Sequence, residues 1–406
     1  MKAVTEHVHP LHGVFSPDQM AWLVDLRRAL HRHPELSWKE ERTADRLEAA
    51  LRRNGITEIQ RVAGTGIVAR VPGSDREAPL TAIRGDIDAL PIQEATGLPY
   101  ASEVPGVMHA CGHDVHATWA IGAAMLLAKH PAHGDVLVVL QPAEEVGSGA
   151  SAILETGALD DVKAIFGGHV DRRFPVGHVV AQPGPLAASA DSFSIEVMGK
   201  GAHGARPHEG IDPIVAAASI VNALQTIVAR RLDPGAPAIV TVGSIHGGTA
   251  PNVIPELVVL TGTLRAMRPD VRAALHEEVA SIATAIARAH GASARVTIEH
   301  GPPPVVNSER ESGWARTAAE RTLGAGSVVP FGLTNMGGED FACYLERFGG
   351  CFLRIGAREA GGEPAPAHSP GFVAAEDSIF IGAAVLAECA REASENLLSG
   401  GTVASR

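Results

Sequence analysis

The stretch DVHATWAIGAAMLLAK (residues 114–129), followed by HPAHGD (130–135) and VLVVL (136–140), contains the pattern that decides the fold. The first segment is rich in Ala and Leu, which favour a helix. The last segment is a short apolar run of the kind found in buried strands. Similar apolar runs predict further strands at residues 67–71, 80–83 and 164–166. Strands separated by helices predict a mostly parallel sheet with helices on both faces, which is the α/β fold class.

Upstream of these strands, Ser37-Trp-Lys-Glu40 has the spacing of a capping box, in which each side chain accepts from the other residue's backbone N–H. A helical pattern follows it and stops at Gly55. We therefore expect a helix whose N-terminus is capped by Ser37.

Two Pro- and Gly-containing stretches, residues 182–190 and 301–306, enclose a segment with its own pattern. Its predicted elements alternate as strand, helix, strand, strand, helix and strand, at residues 193–197, 213–230, 238–245, 257–264, 270–289 and 295–298. This βαββαβ order is that of the split ferredoxin-like unit. The sequence thus predicts a larger α/β catalytic domain (15–188 and 301–395) interrupted by an inserted α+β domain (189–300).

The helix predicted at residues 213–230 is nearly uncharged until Arg230, and its apolar stripe consists of Ile214, Val221, Leu224 and Val228. A small inserted domain has one sheet face to cover such a helix. The surplus apolar surface predicts a partner subunit, so that a homodimer or a higher homo-oligomer is expected. Compact packing within a monomer is the alternative.

The overall composition excludes several classes of function. The chain has 406 residues, is 45% hydrophobic and 20% charged, and carries a formal net charge of −12. An acidic chain without a basic run argues against nucleic acid and anionic membranes as partners. No apolar stretch is long enough to cross a bilayer and no secretory signal is visible. Since the cysteines form no CxxC pair, we expect a cytoplasmic protein with reduced thiols.

Residues able to bind a metal follow several of the predicted strands or precede a helix. In His109-Ala-Cys-Gly-His-Asp-Val-His116, a thiol and an imidazole two residues apart suit zinc, manganese or cobalt. A buried cysteine beside surface histidines is the alternative for this motif. Gln141-Pro-Ala-Glu-Glu145 places adjacent carboxylates after a strand, where one can bind metal while the other acts as a base, or where both are solvated loop charges.

Two further strand ends repeat this arrangement, in Ile165-Phe-Gly-Gly-His169 and Arg84-Gly-Asp86-Ile-Asp88. Because open α/β sheets place their sites outside the carboxyl ends of the strands, the four segments together favour a metal site over four unrelated loops. The HExxH, Walker A and GxSxG motifs are absent from the sequence.

The order of the motifs resembles that of the M20 metallopeptidase family, and within it the aminoacylase/amidohydrolase branch that includes hippurate hydrolases and auxin-conjugate hydrolases. The resemblance runs from about His33-Pro-Glu35 to His368. The matching strings are Asp86-Ile-Asp-Ala-Leu-Pro91, His109-Ala-Cys-Gly-His-Asp-Val-His116, Gln141-Pro-Ala-Glu-Glu145, Gly199-Lys-Gly-Ala-His203, Arg206-Pro-His208, Asp212-Pro213, Asn252-Val-Ile-Pro255, Met336-Gly-Gly-Glu-Asp-Phe341 and His368-Ser-Pro370.

This resemblance implies a site for two divalent metal ions, which are zinc, manganese, cobalt or nickel. The implied ligands are Cys111, His113, Glu145, His169 and His368. The wider family has His-x-Asp where this chain has Asp86-Ile-Asp88, so we expect His113 to take the place of the missing histidine. Asp88 would then orient a neighbouring ligand. The motif around His113 also leaves open whether His116 binds metal or caps the helix.

The resemblance also implies a mechanism. Glu144 acts as general acid/base on a metal-activated water, and His203 of the inserted domain donates to the oxyanion across a dimer interface. Asn252 and Arg265 match positions that bind the product's carboxylate. The inserted domain is accordingly expected to act as a lid and dimerisation domain.

The function predicted on this basis is that of a metal-dependent amidohydrolase that cleaves N-acylated amino acids to a carboxylate and a free amino acid. A carboxypeptidase or dipeptidase of the same family, acting on short peptides, is the first alternative. A non-catalytic metal-binding dimer is the second, although the candidate base and all five candidate ligands are present.

Overall fold

The computed structural model describes residues 11, 13–363 and 366–399. These residues form two compact units. The first unit comprises the described residues of Met1–Gly184, Asn307–Gly332 and Cys343–Arg406, and the second comprises Pro185–Val306 and Leu333–Ala342. The second unit therefore includes a short segment that lies outside the predicted insertion. The predicted domain limits at residues 188 and 300 stay a prediction.

The first part of the chain contains four helices and seven strands among the described residues. They are α1 (Pro17–Arg32), α2 (Glu41–Arg53), β1 (Glu58–Val62), β2 (Gly66–Val71), β3 (Leu80–Asp86), α3 (His113–Lys129), β4 (Val136–Gln141), α4 (Gly149–Glu155), β5 (Val162–Pro175), β6 (Val179–Val180) and β7 (Gly184–Ala187).

The middle part contains strands, two long helices and two short helical turns. They are β8 (Asp191–Met198), β9 (Ala202–His203), a 3₁₀ turn (Pro207–Glu209), α5 (Pro213–Leu224), a π-helical turn (Ile227–Arg231), β10 (Ala238–Gly247), β11 (Val253–Ile254), β12 (Leu257–Ala266), α6 (Pro269–Ala289) and β13 (Ser293–Glu299).

The last part of the chain lies mostly in the first unit. Its elements are β14 (Val305–Asn307), α7 (Glu309–Leu323), α8 (Phe341–Arg347), β15 (Gly349–Arg358) and α9 (Asp377–Leu398). Across the described residues, no helix is both long enough and apolar enough to cross a membrane.

The sheet of the first unit has the strand order β1-β2-β4-β3-β5-β15-β6. The central pairs β4–β3, β3–β5 and β5–β15 are parallel, whereas β1–β2, β2–β4 and β15–β6 are antiparallel. The expectation of a mostly parallel sheet is therefore wrong for the outer strands, because β1 and β2 form a hairpin and β6 returns along β15. The parallel centre brings the carboxyl ends of β3, β4 and β5 to one edge.

Helix α3 is buried on every side from His113 to Leu127. It crosses α9 at very short range, since a Cβ on Gly382 would lie 2.2 Å from Cε3 of Trp119, and one on Gly122 would lie 2.8 Å from Cβ of Ala383. A helix buried all round has no polar face, which accounts for the Ala- and Leu-rich sequence. Its packing holds the N-terminus of α3 against the sheet edge where the metal-binding motifs lie.

The capping box predicted at Ser37 and Glu40 is wrong. Glu40 is the N-cap of α2 but makes no side-chain cap hydrogen bond, and the Ser37 hydroxyl donates instead to Oδ2 of Asp88 at 2.7 Å. A capping box does occur at α1, between Ser16 and Gln19. The side chains of Ser37 and Glu40 form hydrogen bonds with buried polar groups of other segments. Sequence spacing does not reveal such long-range partners.

The second unit has a four-stranded antiparallel sheet in the order β10-β12-β8-β13. Its buried apolar residues come from this sheet and from α5 and α6. The connectivity βαββαβ with this strand order is ferredoxin-like. The predicted fold class, an α/β fold with an inserted ferredoxin-like α+β unit, is thereby confirmed.

The single helix predicted at residues 213–230 is wrong in its length and in its buried face. Helix α5 ends at Leu224, and the π-helical turn that follows rotates the later side chains. The buried side of α5 consists of Pro213, Ala216, Ala217, Ile220 and Leu224, because alanines let the helix approach the sheet closely. Of the predicted apolar stripe, Leu224 is buried, whereas Ile214 and Val228 are 42% and 40% exposed.

Candidate metal centre

Several side chains with metal-binding atoms meet at the sheet edge of the first unit. They form overlapping groups, and within each group the candidate ligand atoms lie within 4.8 Å of one another. The groups include Cys111 with His113 and His169, Cys111 with Glu145 and His368, His113 with Glu144 and Glu145, and Asp86 with His113 and His116. The structure therefore brings together all five ligands predicted from the sequence and the predicted base. Their roles remain predictions.

Cys111 is placed by a sharp turn before α3. Gly112 has φ +97°, and a Cβ there would lie 2.4 Å from Cγ2 of Val170, so only glycine fits. The turn leaves Sγ of Cys111 3.1 Å from Nε2 of His169. Burial, followed by the nearby Glu145 carboxylate, raises the pKa of the Cys111 thiol well above its usual value. A cation at this position would favour the thiolate, as metal ions generally do.

His113 is oriented by Asp88. Its Nδ1 lies 3.1 Å from Oδ1 of Asp88, while Oδ2 of Asp88 accepts from the Ser37 hydroxyl at 2.7 Å and from the Glu145 N–H at 3.0 Å. This arrangement directs Nε2 of His113 into the cluster. A carboxylate behind a histidine is the usual way in which proteins orient a metal-binding imidazole.

Two buried polar atoms in the cluster have no hydrogen-bond partner, Nε2 of His113 and Oε1 of Glu145. They lie 3.7 Å apart, and Nε2 is also 3.7 Å from Oε2 of Glu144. This separation is too long for a hydrogen bond but suits ligands that each lie about 2.0–2.2 Å from a shared cation. Thiol, imidazole and carboxylate together suit borderline divalent metals. The residues present therefore fit the metal centre that the sequence implies.

His169 and His368 are the two remaining candidate ligands of the cluster. Nδ1 of His169 donates to the carbonyl oxygen of Val170 at 2.7 Å, which leaves Nε2 available to a metal. His368 lies in a loop at φ +62°, and its N–H donates to the carbonyl oxygen of Ala110 at 2.8 Å. Its Nε2 lies 3.3 Å from Oε2 of Glu145, and its side chain is 53% exposed. The hydrogen bond to Ala110 positions this loop, which lacks a local sequence signal.

The hydrogen bonds of His116 decide between its two possible roles. The Val170 N–H donates to Nε2 of His116 at 3.0 Å, so the proton is on Nδ1, which donates to Oδ1 of Asp86 at 2.6 Å. The other oxygen of Asp86 accepts from Arg84. With both nitrogens used, His116 supports strand β5 beside His169, and Asp86 is committed to Arg84 and His116.

Sequence reasoning missed a buried polar network behind the cluster. Oδ2 of Asp114 accepts from Nε of Arg27 at 2.7 Å and lies 2.8 Å from Nδ1 of His31. Nε2 of His31 in turn lies 3.3 Å from Oε1 of Glu94. Against the opposing effect of burial, hydrogen bonds from His31, Thr96 and the Ser102 N–H lower the pKa of Glu94 to about 2. Helical spacing alone contains no signal for these long-range pairs.

A change of Glu94 to Gln is expected to make stability less sensitive to acid. The pKa of Glu94 is depressed in the folded state to about 2, so its stabilising effect is present above about pH 4.5, the value typical of an unfolded Glu, and is lost as the pH falls toward 2. Urea unfolding at pH 7, 5, 4 and 3 should show wild type more stable at pH 7 by about 1 kcal/mol. That difference should shrink steadily below pH 4.5. A difference that is constant across this range would contradict the assignment.

In the second unit, His203 and Asn252 lie close together. His203 pairs with Val253 across β9 and β11, and the Gly204 N–H donates to the carbonyl oxygen of Asn252 at 2.7 Å. The Ala205 N–H donates to Nδ1 of His203 at 3.0 Å. The proton of neutral His203 is therefore on Nε2, which is a hydrogen-bond donor.

The third predicted residue of this unit, Arg265, lies on β12. Its Nη1 donates to the carbonyl oxygens of Leu264 at 3.0 Å and Asp191 at 3.4 Å. These contacts fix one edge of the guanidinium within its own unit.

Comparison with known proteins places this geometry in a family. The profile described as peptidase family M20/M25/M40 matches residues 82–392. N-acetyl-L-cysteine deacetylase of Bacillus subtilis is 43% identical over 336 residues, which are 82% of this chain and 80% of that protein. Thermostable carboxypeptidase 1 of Saccharolobus solfataricus is 36% identical over 370 residues, which are 89% of this chain and 93% of that protein.

A solved structure agrees with these sequence relatives. The YXEP protein of Bacillus subtilis, described as a dinuclear metal-binding peptidase from the M20 family, has a TM-score of 0.82 and 37% identity. The alignment covers 93% of this chain and 98% of that one. The chain belongs to peptidase family M20/M25/M40. Its predicted class, a hydrolase acting on amides with a site for divalent metals, is confirmed.

Proposed function

We propose that the protein is a metal-dependent amidohydrolase that releases a free amino acid from an N-acylated amino acid. The observation that carries this proposal is the pair of adjacent carboxylates at the end of β4. Glu145 lies in one candidate ligand group with Cys111 and His368. Oε2 of Glu144 and Oε1 of Glu145 each lie 3.7 Å from Nε2 of His113. One carboxylate can therefore hold metal while its neighbour moves protons. The deacetylase relative supports an N-acyl amino acid as the substrate.

In this proposal Cys111, His113, Glu145, His169 and His368 hold a pair of divalent cations. When bound, these ions polarise the amide carbonyl and lower the pKa of water. Glu144 takes the proton of the attacking water and delivers it to the departing nitrogen. Asp88 keeps Nε2 of His113 directed at the cluster through its bond to Nδ1. Zinc, manganese, cobalt and nickel all suit this mixture of ligands.

The second unit has three assigned roles in the proposal. His203 donates from Nε2 to the oxyanion, which its bond from the Ala205 N–H supports. Asn252 and Arg265 bind the carboxylate of the amino-acid part, for which an arginine is well suited. The unit thus acts as a lid and a dimerisation domain, and His203 acts on the site of the partner subunit. Exposed apolar side chains on α5 and its continuation, Ile214, Val215 and Val228, support a homodimer.

A carboxypeptidase or dipeptidase on short peptides is the second candidate, favoured by the carboxypeptidase relative. Both reactions use the same metal centre and base, so the substrate pocket alone separates them. A cytoplasmic location completes the proposal, because Cys111, Cys351 and Cys389 are free thiols.

Amino-acid release from a panel of substrates tests this function. N-acetyl and N-benzoyl amino acids and dipeptides would be supplied to enzyme that is untreated, treated with chelator, or treated and then given zinc, manganese or cobalt. We expect chelator-sensitive release that returns with metal, fastest for the N-acyl amino acids. Faster release from dipeptides would favour the second candidate. No release from any substrate by metal-loaded protein would contradict both.

A further inference from the structure

The segment containing Ser37 and Glu40 lies beneath both loops of the metal centre. Ser37 donates to Asp88, which orients His113. Glu40 is fully buried. Its Oε1 accepts from the Ala143 N–H at 2.9 Å, and its Oε2 accepts from the Thr65 hydroxyl at 2.7 Å. We propose that Glu40 is a positioning residue, which holds the turn at Ala143 so that Glu144 and Glu145 reach the cluster.

The turn that Glu40 contacts is strained. Ala143 has φ +53° and is fully buried. This left-handed conformation is unfavourable for any residue with a Cβ, and it persists only where surrounding contacts enforce it. The residue before Ala143 is Pro142, which has no N–H to donate. The Ala143 N–H is therefore the first backbone donor after β4. Its bond to Glu40 holds one side of the turn, and the Ala143 carbonyl oxygen accepts from the Gly149 N–H at 3.2 Å on the other.

The strained turn decides where the two carboxylates point. A positive φ at Ala143 reverses the chain direction immediately before Glu144, and the loop closes with the Gly147 N–H donating to the Glu144 carbonyl oxygen at 2.7 Å. The Glu145 N–H then donates to Oδ2 of Asp88 at 3.0 Å. If Ala143 relaxed to a negative φ, both carboxylates would move away from His113. Glu40 thus acts on the reaction through the backbone and not by touching substrate.

A buried carboxylate at the other end of β4 provides a matched control. Asp135 is fully buried as well, and it accepts from the Gly73 N–H at 2.7 Å and from Arg70 at 2.9 Å. Like Glu40, it is a buried carboxylate that accepts from a backbone N–H, but it also pairs with Arg70 and is remote from the metal-binding edge of the strand. A purely structural role for Glu40 predicts the same consequences for the two residues.

The experiment compares Glu40→Met, Glu40→Gln, Asp135→Leu, Ala143→Gly and the double change E40M/A143G. Methionine keeps the length of Glu40 but cannot accept the Ala143 N–H, whereas the glutamine oxygen can. We expect E40M to lower kcat at least tenfold with KM changed less than threefold, and E40Q and D135L to stay within threefold of wild type. Glycine adopts a positive φ without strain, so E40M/A143G should recover a large part of the lost kcat.

This inference rests on the proposed function, so two readouts that do not need activity accompany it. Cobalt affinity should fall in E40M and recover in E40M/A143G, and the loss of urea stability caused by E40M should be smaller in the A143G background. If the wild-type protein were inactive on every amide, the proposed function would be wrong, and cobalt affinity and urea stability would still test the role of Glu40. Equal losses in E40M and D135L, no recovery with glycine, or a failure of E40M to fold in both backgrounds would overturn the inference.

Discussion

A Glu144→Gln protein is expected to bind its full complement of metal and to lose turnover by about 10²- to 10⁴-fold, the usual contribution of general acid–base catalysis. Glutamine keeps the size of the side chain but cannot take a proton from water or return one to the leaving nitrogen. Its neighbour Glu145 keeps its N–H bond to Asp88, so the ligand set should stay in place.

Metal content by elemental analysis and kcat on an N-acyl amino acid are the two measurements. Glu155→Gln, an exposed change at the end of α4, is the control and should match wild type. Glu145→Gln should show the opposite pattern, with less metal bound. Wild-type turnover in the Glu144→Gln protein would remove Glu144 from the mechanism.

The same protein tests whether His203 acts across a dimer. Glu144→Gln and His203→Ala should each be nearly inactive, since one lacks the base and the other the oxyanion donor. Mixed after dissociation and reassociation, they can form dimers in which one site has both an intact Glu144 and the partner's intact His203. We expect up to about a quarter of wild-type activity per chain in such a mixture. Absence of any recovery in confirmed mixed dimers would place His203 and Glu144 of one chain at the same site.

The second large effect is expected for Cys111→Ala. Cys111 belongs to two of the candidate ligand groups, one with His113 and His169 and one with Glu145 and His368. Its loss should therefore weaken metal binding by both of these groups. Changes to residues that merely support metal ligands already cost about 10- to 100-fold in affinity or activity, so at least about a 100-fold loss of activity is expected here.

Cys389→Ala is the matched control, because Cys389 is an equally buried free thiol in α9. It should retain metal and activity, whatever it costs in stability. Metal stoichiometry after dialysis, together with the thiolate-to-cobalt absorption of cobalt-loaded protein, reports on the ligand directly. An unchanged stoichiometry and an unchanged cobalt spectrum in Cys111→Ala would exclude Cys111 as a ligand.

Sequence reasoning located the cluster because several of its residues follow strands. The parallel pairing of β3 with β4 and β5 places strand ends at one edge, so Asp88, Glu144 and Glu145 were predictable from position alone. His169 was expected just after a strand ending at residue 166, but it lies within β5, which continues to Pro175. His368 was predictable only from the family resemblance, since the hydrogen bond from its N–H to Ala110 joins residues far apart in the chain. No periodic pattern encodes such a contact.

The polar contacts beneath the cluster could not be predicted. Ser37 and Glu40 have the spacing of a capping box, but their partners are Asp88, Ala143 and Thr65. Local spacing shows only which nearby groups a side chain can hydrogen-bond, whereas a buried N–H from a distant segment can be the more favourable partner. The role of His116 was undecided for the same reason, until the Val170 N–H fixed its tautomer.

The sequence by itself determined the α/β class and the inserted ferredoxin-like unit, because hydrophobic period is a local property. It also predicted the candidate metal-binding side chains, through strand-end position and the family resemblance. Only the tertiary structure decided which atoms face one another: Asp86 toward Arg84 and His116, and Nε2 of His113 toward Glu144 and Glu145. It also decided which side of α5 faces the sheet, leaving Ile214 and, in the turn after the helix, Val228 exposed. These contacts depend on close packing between distant segments. In a buried, close-packed region an unpaired polar group or a misplaced methyl group lowers the free energy of unfolding.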